Sequence, residues 1–238
     1  MIEVSEVTKD FGYVHALYKV DLKIKTGEFV TIVGPSGCGK STLLRIIAGL
    51  IDPTDGVVDK PSDSMGAFVF QDSALLPWRT VQKNAELLME LEDGFSKNER
   101  VSRASSALQQ VGLTGFEKHY PHQLSGGMKM RLSLARSLVL SPEYLLLDEP
   151  LSAVDELTRE VLQEEIYALW KKDKFTAILV THNVPEAVYL SNRIVVMSPR
   201  PGKITHIVNV PFKKRNQKLR SSNKFHKLIN DISWKLRS

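Results

Sequence analysis

A glycine-rich segment carries the clearest chemical signal in this sequence. Residues 34–42 read GPSGCGKST and fit the pattern G-x-x-x-x-G-K-[ST]. The apolar run at residues 28–33 is typical of a buried strand, and residues 43–48 continue without a helix breaker. In a strand–glycine turn–helix arrangement, backbone N–H groups converge on phosphate oxygens and the helix N-terminus adds partial positive charge. The pattern therefore predicts a phosphate-binding loop for a nucleotide.

Two side chains of this loop have predicted tasks. Lys40 can reach the β- and γ-phosphates, and the Ser41 hydroxyl can ligate Mg²⁺. The only cysteine, Cys38, lies beside Lys40 and near a helix N-terminus, so it is predicted to be either a reactive thiol or a small spacer. The predicted nucleotide-binding residues of the loop are Gly34, Pro35, Ser36, Gly37, Cys38, Gly39, Lys40, Ser41 and Thr42.

Charged and polar groups follow two other apolar runs. Asp148 and Glu149 come directly after residues 144–147, and adjacent residues on a strand point to opposite sides. We therefore expect Asp148 to hold Mg²⁺ through water and Glu149 to act as general base toward an attacking water. His182 follows the run 176–181 and could contact the γ-phosphate, because ligands of open α/β sheets bind at the carboxyl ends of strands.

Three further candidates are weaker when each is taken alone. Gln71 ends a predicted strand over residues 66–70, and its amide could reach Mg²⁺ or the attacking water. Phe11 lies on a turn and could stack on an adenine ring or pack a hairpin. The sequence LSGGM at residues 124–128 makes Ser125 a helix N-cap and leaves the next N–H groups open, which predicts a second anion site or an ordinary capped helix.

The segments that must position these groups alternate between strand and helix patterns. Residues 2–8 and 16–25 alternate loosely, as strands solvated on one side do, and residues 193–198 and 203–210 indicate closing strands. Residues 72–140 instead show helical spacing of apolar side chains between charges. The sequence thus predicts an α/β framework with a helical insertion.

Composition and charge limit the classes of protein. The 238 residues are 42% hydrophobic and 25% charged, which is ordinary for a soluble globular chain. We expect no membrane span, no signal peptide and, with one cysteine, no internal disulfide. The net charge of +5 is uneven, because residues 212–238 hold nine Lys/Arg and one Asp and the remaining 211 residues carry a net −3. A nucleic-acid surface across the body is therefore not indicated.

Two segments have interpretations beyond the motifs. The basic tail at residues 212–238 predicts an amphipathic helix that packs on the chain and adds only weak membrane association. Residues 75–80 read LLPWRT, in which Trp78 beside Arg79 indicates either a core residue or a partner surface. The apolar positions of the tail helix follow the spacing i, i+3, i+4, i+7: Phe225, Leu228, Ile229 and Ile232.

In their order, these motifs resemble the nucleotide-binding subunit of an ABC transporter. The resemblance runs from about residue 2 to residue 210, and the segments 75–79 and 197–204 look like the nitrate/sulfonate/taurine importer branch. Met128 departs from the glutamine usual in the signature, which removes one hydrogen-bonding side chain. The matching motifs are the A-loop (Phe11), Walker A (34–42), the Q-loop (Gln71), the signature (124–128), Walker B (144–149), the D-loop (152–155) and the switch histidine (His182).

The resemblance implies a fold and a division of the chain. The fold would be α/β, with a P-loop NTPase (RecA-like) core sheet, an antiparallel β sub-domain and an α-helical insertion. The cassette would cover residues 1–211, with its core at 1–71 and 141–211 and its helical sub-domain at 72–140. Residues 212–238 would form the basic C-terminal tail.

The resemblance also implies an ATPase that uses ATP and Mg²⁺. The implied catalytic residues are Glu149, His182 and Gln71, and the implied Mg²⁺ ligands are Ser41, Gln71 and Asp148. The signature residues Ser125, Gly126 and Gly127 would contact an ATP held by a second subunit.

The implied function is to energise uptake of a small anion or organic solute. The expected partners are a membrane-spanning permease, a second copy of the chain in a homodimer and an extracytoplasmic solute-binding protein, with no nucleic acid. The chain would lie peripherally on the cytoplasmic face of the cell membrane. The alternative is a soluble ABC-type ATPase that acts on nucleic acid or ribosomes, which the lack of sustained heptads between residues 71 and 125 disfavours. A non-hydrolytic regulator is disfavoured by Glu149 and His182.

Overall fold

The computed structural model describes residues 1–61 and 64–237 of the chain. Ser62, Asp63 and Ser238, the last residue of the predicted tail, lie outside the described residues. The chain divides into two compact units, of which the first comprises residues 1–64 and 170–238 and the second comprises residues 65–169. None of the helices in the described ranges combines the length and apolarity that crossing a membrane requires.

An antiparallel sheet in the first unit is formed by β1 (Ile2–Phe11), β2 (Val14–Ile24) and β4 (Asp55–Asp59) in the order β2-β1-β4. The predicted alternation is confirmed on β2, where the apolar side chains of Val20, Leu22 and Ile24 are buried. The sequence DPTDG at residues 52–56 predicts a turn, and strand β4 forms at the end of that segment because pairing with β1 orders residues that have little strand signal of their own.

The parallel strands of the first unit are almost wholly buried. Strand β3 (Phe29–Val33) lies between β7 (Thr176–Thr181) and β8 (Arg193–Met197) and is parallel to both, and β9 (Ile204–Asn209) pairs antiparallel with β8. Every residue of β3 and β7 is buried, as expected of parallel strands covered on both faces. The sheet therefore fixes the chain firmly where β3 and β7 end.

Four helices of the first unit follow from local signals. They are α1 (Lys40–Ala48), α6 (Val184–Leu190), α7 (Gln217–Arg220) and α8 (Asn223–Lys235). In the sequence, Asn183 with Pro185 two residues later predicts the start of a helix, and this cap of α6 is confirmed, since the Asn183 side chain accepts a hydrogen bond from the Glu186 N–H. The predicted tail helix is also confirmed as α8, which buries Phe225 and Ile232 and packs against α6.

Two parallel strands and three packed helices lie in the second unit. Strand β5 (Gly66–Val69) pairs with β6 (Tyr144–Asp148), and helices α2 (Val81–Leu91), α3 (Lys97–Gln110) and α4 (Gly126–Leu138) pack on one another. Helix α5 (Glu156–Asp173) begins here and ends beyond the division between the units. Thr80, Ser96 and Ser125 cap α2, α3 and α4 with their hydroxyl oxygens.

The predicted fold class is confirmed at the level of these elements. Parallel strands with connecting helices and a separate antiparallel sheet are both present, as an α/β chain with a β sub-domain requires. The segment predicted to be a helical sub-domain, residues 72–140, lies within the second unit. The exact sub-domain limits remain a prediction.

Candidate active site

The glycine-rich loop leaves β3 and enters α1 along a path that its glycines permit. Gly39 has φ +103°, and a Cβ on it would lie 2.7 Å from Leu17 Cδ2 and 2.8 Å from Ala16 O, both on β2. A side chain at this position would therefore clash with the backbone of β2 as well as strain the loop. No side chain among the described residues caps α1, so the helix begins at Lys40 with its first N–H groups facing the loop.

Lys40 and Cys38 are both buried in this loop. The Lys40 ammonium donates hydrogen bonds to Gly34 O at 2.9 Å and Pro35 O at 2.8 Å. Cys38 is only 1% exposed, and burial raises the pKa of its thiol, with the nearby Lys40 charge opposing that effect less strongly. Reactive cysteines are accessible and have a lowered pKa. The structure therefore favours the spacer interpretation of Cys38 over the reactive thiol.

Arg200 contacts the loop, although no motif in the sequence indicates it. Its Nε and Nη2 donate to Gly37 O at 3.1 and 3.0 Å. The backbone of Gly202 is held in turn, since its N–H donates to Ala16 O at 3.0 Å. In the sequence, residues 197–204 indicate only a transporter branch, and the bond from Arg200 spans 163 positions, so no local pattern could reveal it.

The first unit brings the loop and His182 to the same edge of a sheet. Val33 and Thr181 are register partners on the parallel strands β3 and β7, so Gly34 and His182 are the next residues on neighbouring strands. Phe11 ends β1 and is 50% exposed, with Lys9 Nζ 5.1 Å from its ring centroid. The ring is accessible for stacking, and its contact with adenine remains a prediction.

The second unit brings Gln71 and the two acids to one edge in the same way. Val69 and Leu147 are register partners on β5 and β6. Gln71 lies two residues after Val69, and Asp148 and Glu149 lie one and two residues after Leu147, so the three come to the same edge. Asp148 is buried, whereas Glu149 is half-buried and has φ +44°. A left-handed backbone is uncommon for a glutamate, and residues in such conformations cluster at functional sites.

The signature segment forms the start of α4. Ser125 Oγ accepts a hydrogen bond from the Met128 N–H at 3.3 Å, which confirms the predicted cap. The helix begins at Gly126, earlier than glycine propensity suggests, because the cap fixes its first turn. A Cβ on Gly127 would lie 2.8 Å from Thr158 Cγ2, whereas a Cβ on Gly126 would meet nothing closer than 3.5 Å.

A buried arginine holds the chain just after Gln71. Arg136 of α4 donates from Nη1 to Ala74 O and from Nη2 to Ser73 O, each at 2.8 Å. Burial lowers the pKa of this guanidinium, and the two carbonyls satisfy part of its donor set. Ala74 has φ +45°, so the arginine fixes a segment in an uncommon conformation.

A buried asparagine holds the rest of the same loop. Asn84 of α2 is fully buried, and its Oδ1 accepts from the Leu76 N–H at 2.8 Å. Its Nδ2 donates to the carbonyls of Leu76 (3.1 Å), Arg79 (3.0 Å) and Thr80 (3.1 Å). Trp78, in the middle of this loop, is 72% exposed, so the core interpretation of Trp78 is wrong. The sequence signal that could have predicted the role of Asn84 is its position as a polar residue on the apolar face of a helix.

Comparisons with known proteins show which family this chain belongs to. Residues 17–152 match the family described as ABC transporter. The chain is 48% identical to an uncharacterized ABC transporter ATP-binding protein of Methanocaldococcus jannaschii, over 90% of this chain and 83% of the relative. It is 45% identical to the aliphatic sulfonates import ATP-binding protein SsuB of a Bacillus cereus strain, over 89% of this chain and 87% of the relative.

A solved structure agrees as well. The dimeric ATP-binding cassette MJ0796, in a post-hydrolysis state bound to ADP and Pi, has a TM-score of 0.77 and 35% identity to this chain. The alignment covers 89% of this chain and all of that cassette. Since the family match, the relatives and the solved cassette all span most of the chain, the protein belongs to the ABC transporter family as an ATP-binding subunit and is an ATPase.

Proposed function

We propose that this ATPase energises uptake of a small anion or organic solute of the sulfonate, nitrate or taurine type through a membrane-spanning permease. The observation that carries the proposal is the 44–45% identity, over most of the chain, to proteins named for aliphatic sulfonate import. The subunit would lie on the cytoplasmic face of the cell membrane, where ATP is available, and an extracytoplasmic binding protein would deliver the solute.

The proposed reaction uses groups that leave the strand ends described above. The loop and the N-terminus of α1 bind the ATP phosphates, and Phe11 stacks on the adenine. Glu149 accepts a proton from the attacking water, Gln71 orients that water, and His182 contacts the γ-phosphate. Lys40 supports this assignment, because its ammonium is already held against the loop by Gly34 O and Pro35 O.

Mg²⁺ fits the donor set proposed for it. Ser41, Gln71 and Asp148 offer a hydroxyl, an amide and a carboxylate oxygen, which are the hard ligands that Mg²⁺ prefers, and Asp148 would act through a water. The ion would supply charge neutralisation on the β- and γ-phosphate oxygens. Ser41 lies in the first turn of α1 and Asp148 ends β6, so both are on regular backbone rather than on a loop.

A second copy of the chain completes the proposed site. The signature residues Ser125, Gly126 and Gly127 would contact the γ-phosphate of an ATP bound to the partner copy, using the open N–H groups at the start of α4. The Ser125 cap is intact despite Met128, which donates its backbone N–H and needs no side-chain amide for that bond. The solved cassette to which this chain is similar is itself described as dimeric.

The proposed permease contact is the loop around Trp78. Its exposed indole is carried by backbone that Asn84 and Arg136 hold from the buried side. Arg79 is fixed as well, because its Nη1 lies 2.5 Å from Glu90 Oε2 in a half-buried ion pair. A rigid loop that presents a large exposed aromatic side chain is typical of an interface anchor.

The hydrolytic assignment is tested by Glu149→Gln. We expect the variant to bind ATP with unchanged affinity and to lose about 10²–10⁴-fold in turnover, because the general base is removed and the phosphate contacts remain. In gel filtration with ATP it should elute as a dimer. Turnover within about threefold of wild type would contradict the role of Glu149.

The transport assignment is tested by Trp78→Ala in cells that express the permease. We expect loss of co-purification and of sulfonate-dependent growth or uptake, with basal ATPase and melting temperature retained. Trp234→Ala is the matched control, since Trp234 is 64% exposed on α8, and it should leave transport unchanged. Normal assembly of Trp78→Ala would refute the docking surface. Stimulation of the wild-type ATPase by RNA rather than by the permease would refute import.

A further inference from the structure

His182 lies at a junction whose backbone is fixed by side chains of α6. Thr181 Oγ1 accepts a hydrogen bond from the Asn183 N–H at 3.0 Å and donates to Glu186 Oε2 at 2.7 Å. Asn183 Oδ1 accepts from the Glu186 N–H at 2.9 Å. These three bonds connect the residues on both sides of His182 to the first turn of α6. The direction of His182 therefore depends on where α6 lies.

Helix α6 is short and buried, so we expect any shift of it to involve the whole helix. Its seven residues run from Val184 to Leu190, and all except Pro185 are buried. At its far end, Ser191 Oγ donates to Ala187 O at 2.6 Å and also bonds to Thr31 on β3. A displacement of the C-terminal end of α6 would therefore be carried to the His182 end, because close-packed side chains leave the helix little room to deform.

Arg215 of the basic tail forms hydrogen bonds to the C-terminal end of α6. Arg215 donates from Nε to Tyr189 O at 3.0 Å, from Nη2 to Ser191 O at 2.6 Å and from Nη1 to Phe212 O. The last carbonyls of a helix have no partner within the helix, and a cation beside them is favourable. The guanidinium of Arg215 thus supplies hydrogen-bond donors to carbonyls at the end of α6 and connects that end to the beginning of the tail.

Two further contacts connect α6 to the tail. The guanidinium carbon of Arg220 lies 3.6 Å from the centroid of the Tyr189 ring, and Tyr189 is almost completely buried. Helix α8 packs along α6 with Phe225 buried, and within the tail the ring centroid of Phe212 lies 6.2 Å from that of Phe225. The tail therefore touches α6 through hydrogen bonds, a cation–π contact and apolar packing.

We propose that the C-terminal tail, residues 212–237, is a positioning element for His182, and that Arg215 is its principal contact. The tail acts through α6: it sets the position of the helix, and the helix sets the direction of the imidazole toward the γ-phosphate. Arg215 itself touches no nucleotide. The inference rests on the proposed function, in which His182 contacts the γ-phosphate, and it assigns a role to a segment outside all of the recognised motifs.

The test is a double-mutant cycle on the full chain with Arg215→Ala and His182→Ala. Turnover at saturating ATP, the Kd for a fluorescent ATP analogue and the melting temperature are measured for wild type, both single variants and the double variant. We expect Arg215→Ala to lower kcat about five- to tenfold, to change the Kd less than twofold, and to have no further effect on kcat when His182 is already alanine.

Two more variants make the result independent of folding. Arg215→Lys keeps the charge but cannot reach three carbonyls, so it should lie between wild type and Arg215→Ala. Lys218→Ala removes an exposed cation of the same tail and should leave kcat unchanged. If Arg215→Ala does not fold, Arg215→Lys is carried through the same cycle with His182→Ala.

The outcomes separate the inference from the proposed function. Wild-type turnover in His182→Ala would overturn the role of His182, and the tail inference with it. An impaired His182→Ala beside a fully active Arg215→Ala would overturn the tail inference alone. Losses that multiply in the double variant would also overturn the tail inference, because they would show that Arg215 acts by a route other than His182.

Discussion

The loop around Trp78 offers the sharpest test of how buried polar side chains shape this protein. The perturbation is Asn84→Ala, which deletes an amide that makes four hydrogen bonds to the loop backbone. Two of the groups it contacts keep another partner. Leu76 O still accepts from the Arg79 N–H at 3.1 Å, and Thr80 O still accepts from the Asn84 N–H at 2.8 Å.

The expected loss of stability follows from the two backbone groups that Asn84→Ala leaves without a hydrogen-bond partner. Within the described residues, the Leu76 N–H and Arg79 O keep no other hydrogen-bond partner once the amide is gone. An unsatisfied buried group costs about 1–3 kcal/mol, and both residues are half-buried, which favours the lower part of that range. We expect the free energy of unfolding to fall by about 2–3 kcal/mol, equivalent to about 5–10 °C in melting temperature for a chain of this size.

The assay is urea unfolding followed by circular dichroism, with two companion variants. Asn98→Ala replaces an exposed asparagine on α3 and should change stability by less than about 0.5 kcal/mol. Asn84→Asp keeps an acceptor for Leu76 but loses the donor to three carbonyls, so it should be at least as unstable as Asn84→Ala. A loss below about 1 kcal/mol in Asn84→Ala, or a stable Asn84→Asp, would refute the claim that this amide holds the loop.

Two other predictions concern the cysteine and the tail. Cys38 should react with a thiol reagent at pH 8 at least tenfold more slowly in the folded chain than in urea, because its burial and raised pKa both reduce accessible thiolate; equal rates, measured by absorbance, would contradict this. The isolated chain should co-float only weakly with vesicles of anionic lipid at physiological salt, since Phe225 and Ile232 of α8 are buried and the helix packs on α6, which leaves mainly its charges and the exposed indole of Trp234 for the bilayer. Strong co-flotation that survives high salt would show that α8 leaves α6 to insert.

Local sequence signals predicted the motifs and the elements that carry them. The caps at Ser125 and Asn183 were predictable, because a cap depends on residues within three positions of it. The positions of Gly34 and His182 at the ends of buried strands were predictable for a similar reason, since each follows a short apolar run. The candidate functional residues and the caps beside them can therefore largely be predicted from short segments of sequence.

Contacts between distant residues were not predictable in this way. Arg200 reaches Gly37 across 163 positions, and Arg136 reaches Ser73 across 63. An arginine in a sequence indicates charge, but it does not show which carbonyls its guanidinium will find. The same limit applies to β4, which depends on pairing with β1, and to the burial of Asn84, which depends on the packing of α2.

The two glycines at the start of α4 differ in what constrains them. Gly127 is closed in by Thr158 of its own chain, so any larger residue there disturbs a protomer that is alone in solution. Gly126 has room for a methyl group within its own chain, and its nearest neighbour at that point is the Ala153 carbonyl at 3.5 Å. Selection against a side chain at Gly127 can therefore act on folding alone, whereas a methyl group at Gly126 clashes with nothing in its own chain, so we expect selection against it to come from contact with another molecule. Sequence variation at Gly127 would therefore reflect the requirements of folding, and variation at Gly126 would reflect contact with another molecule.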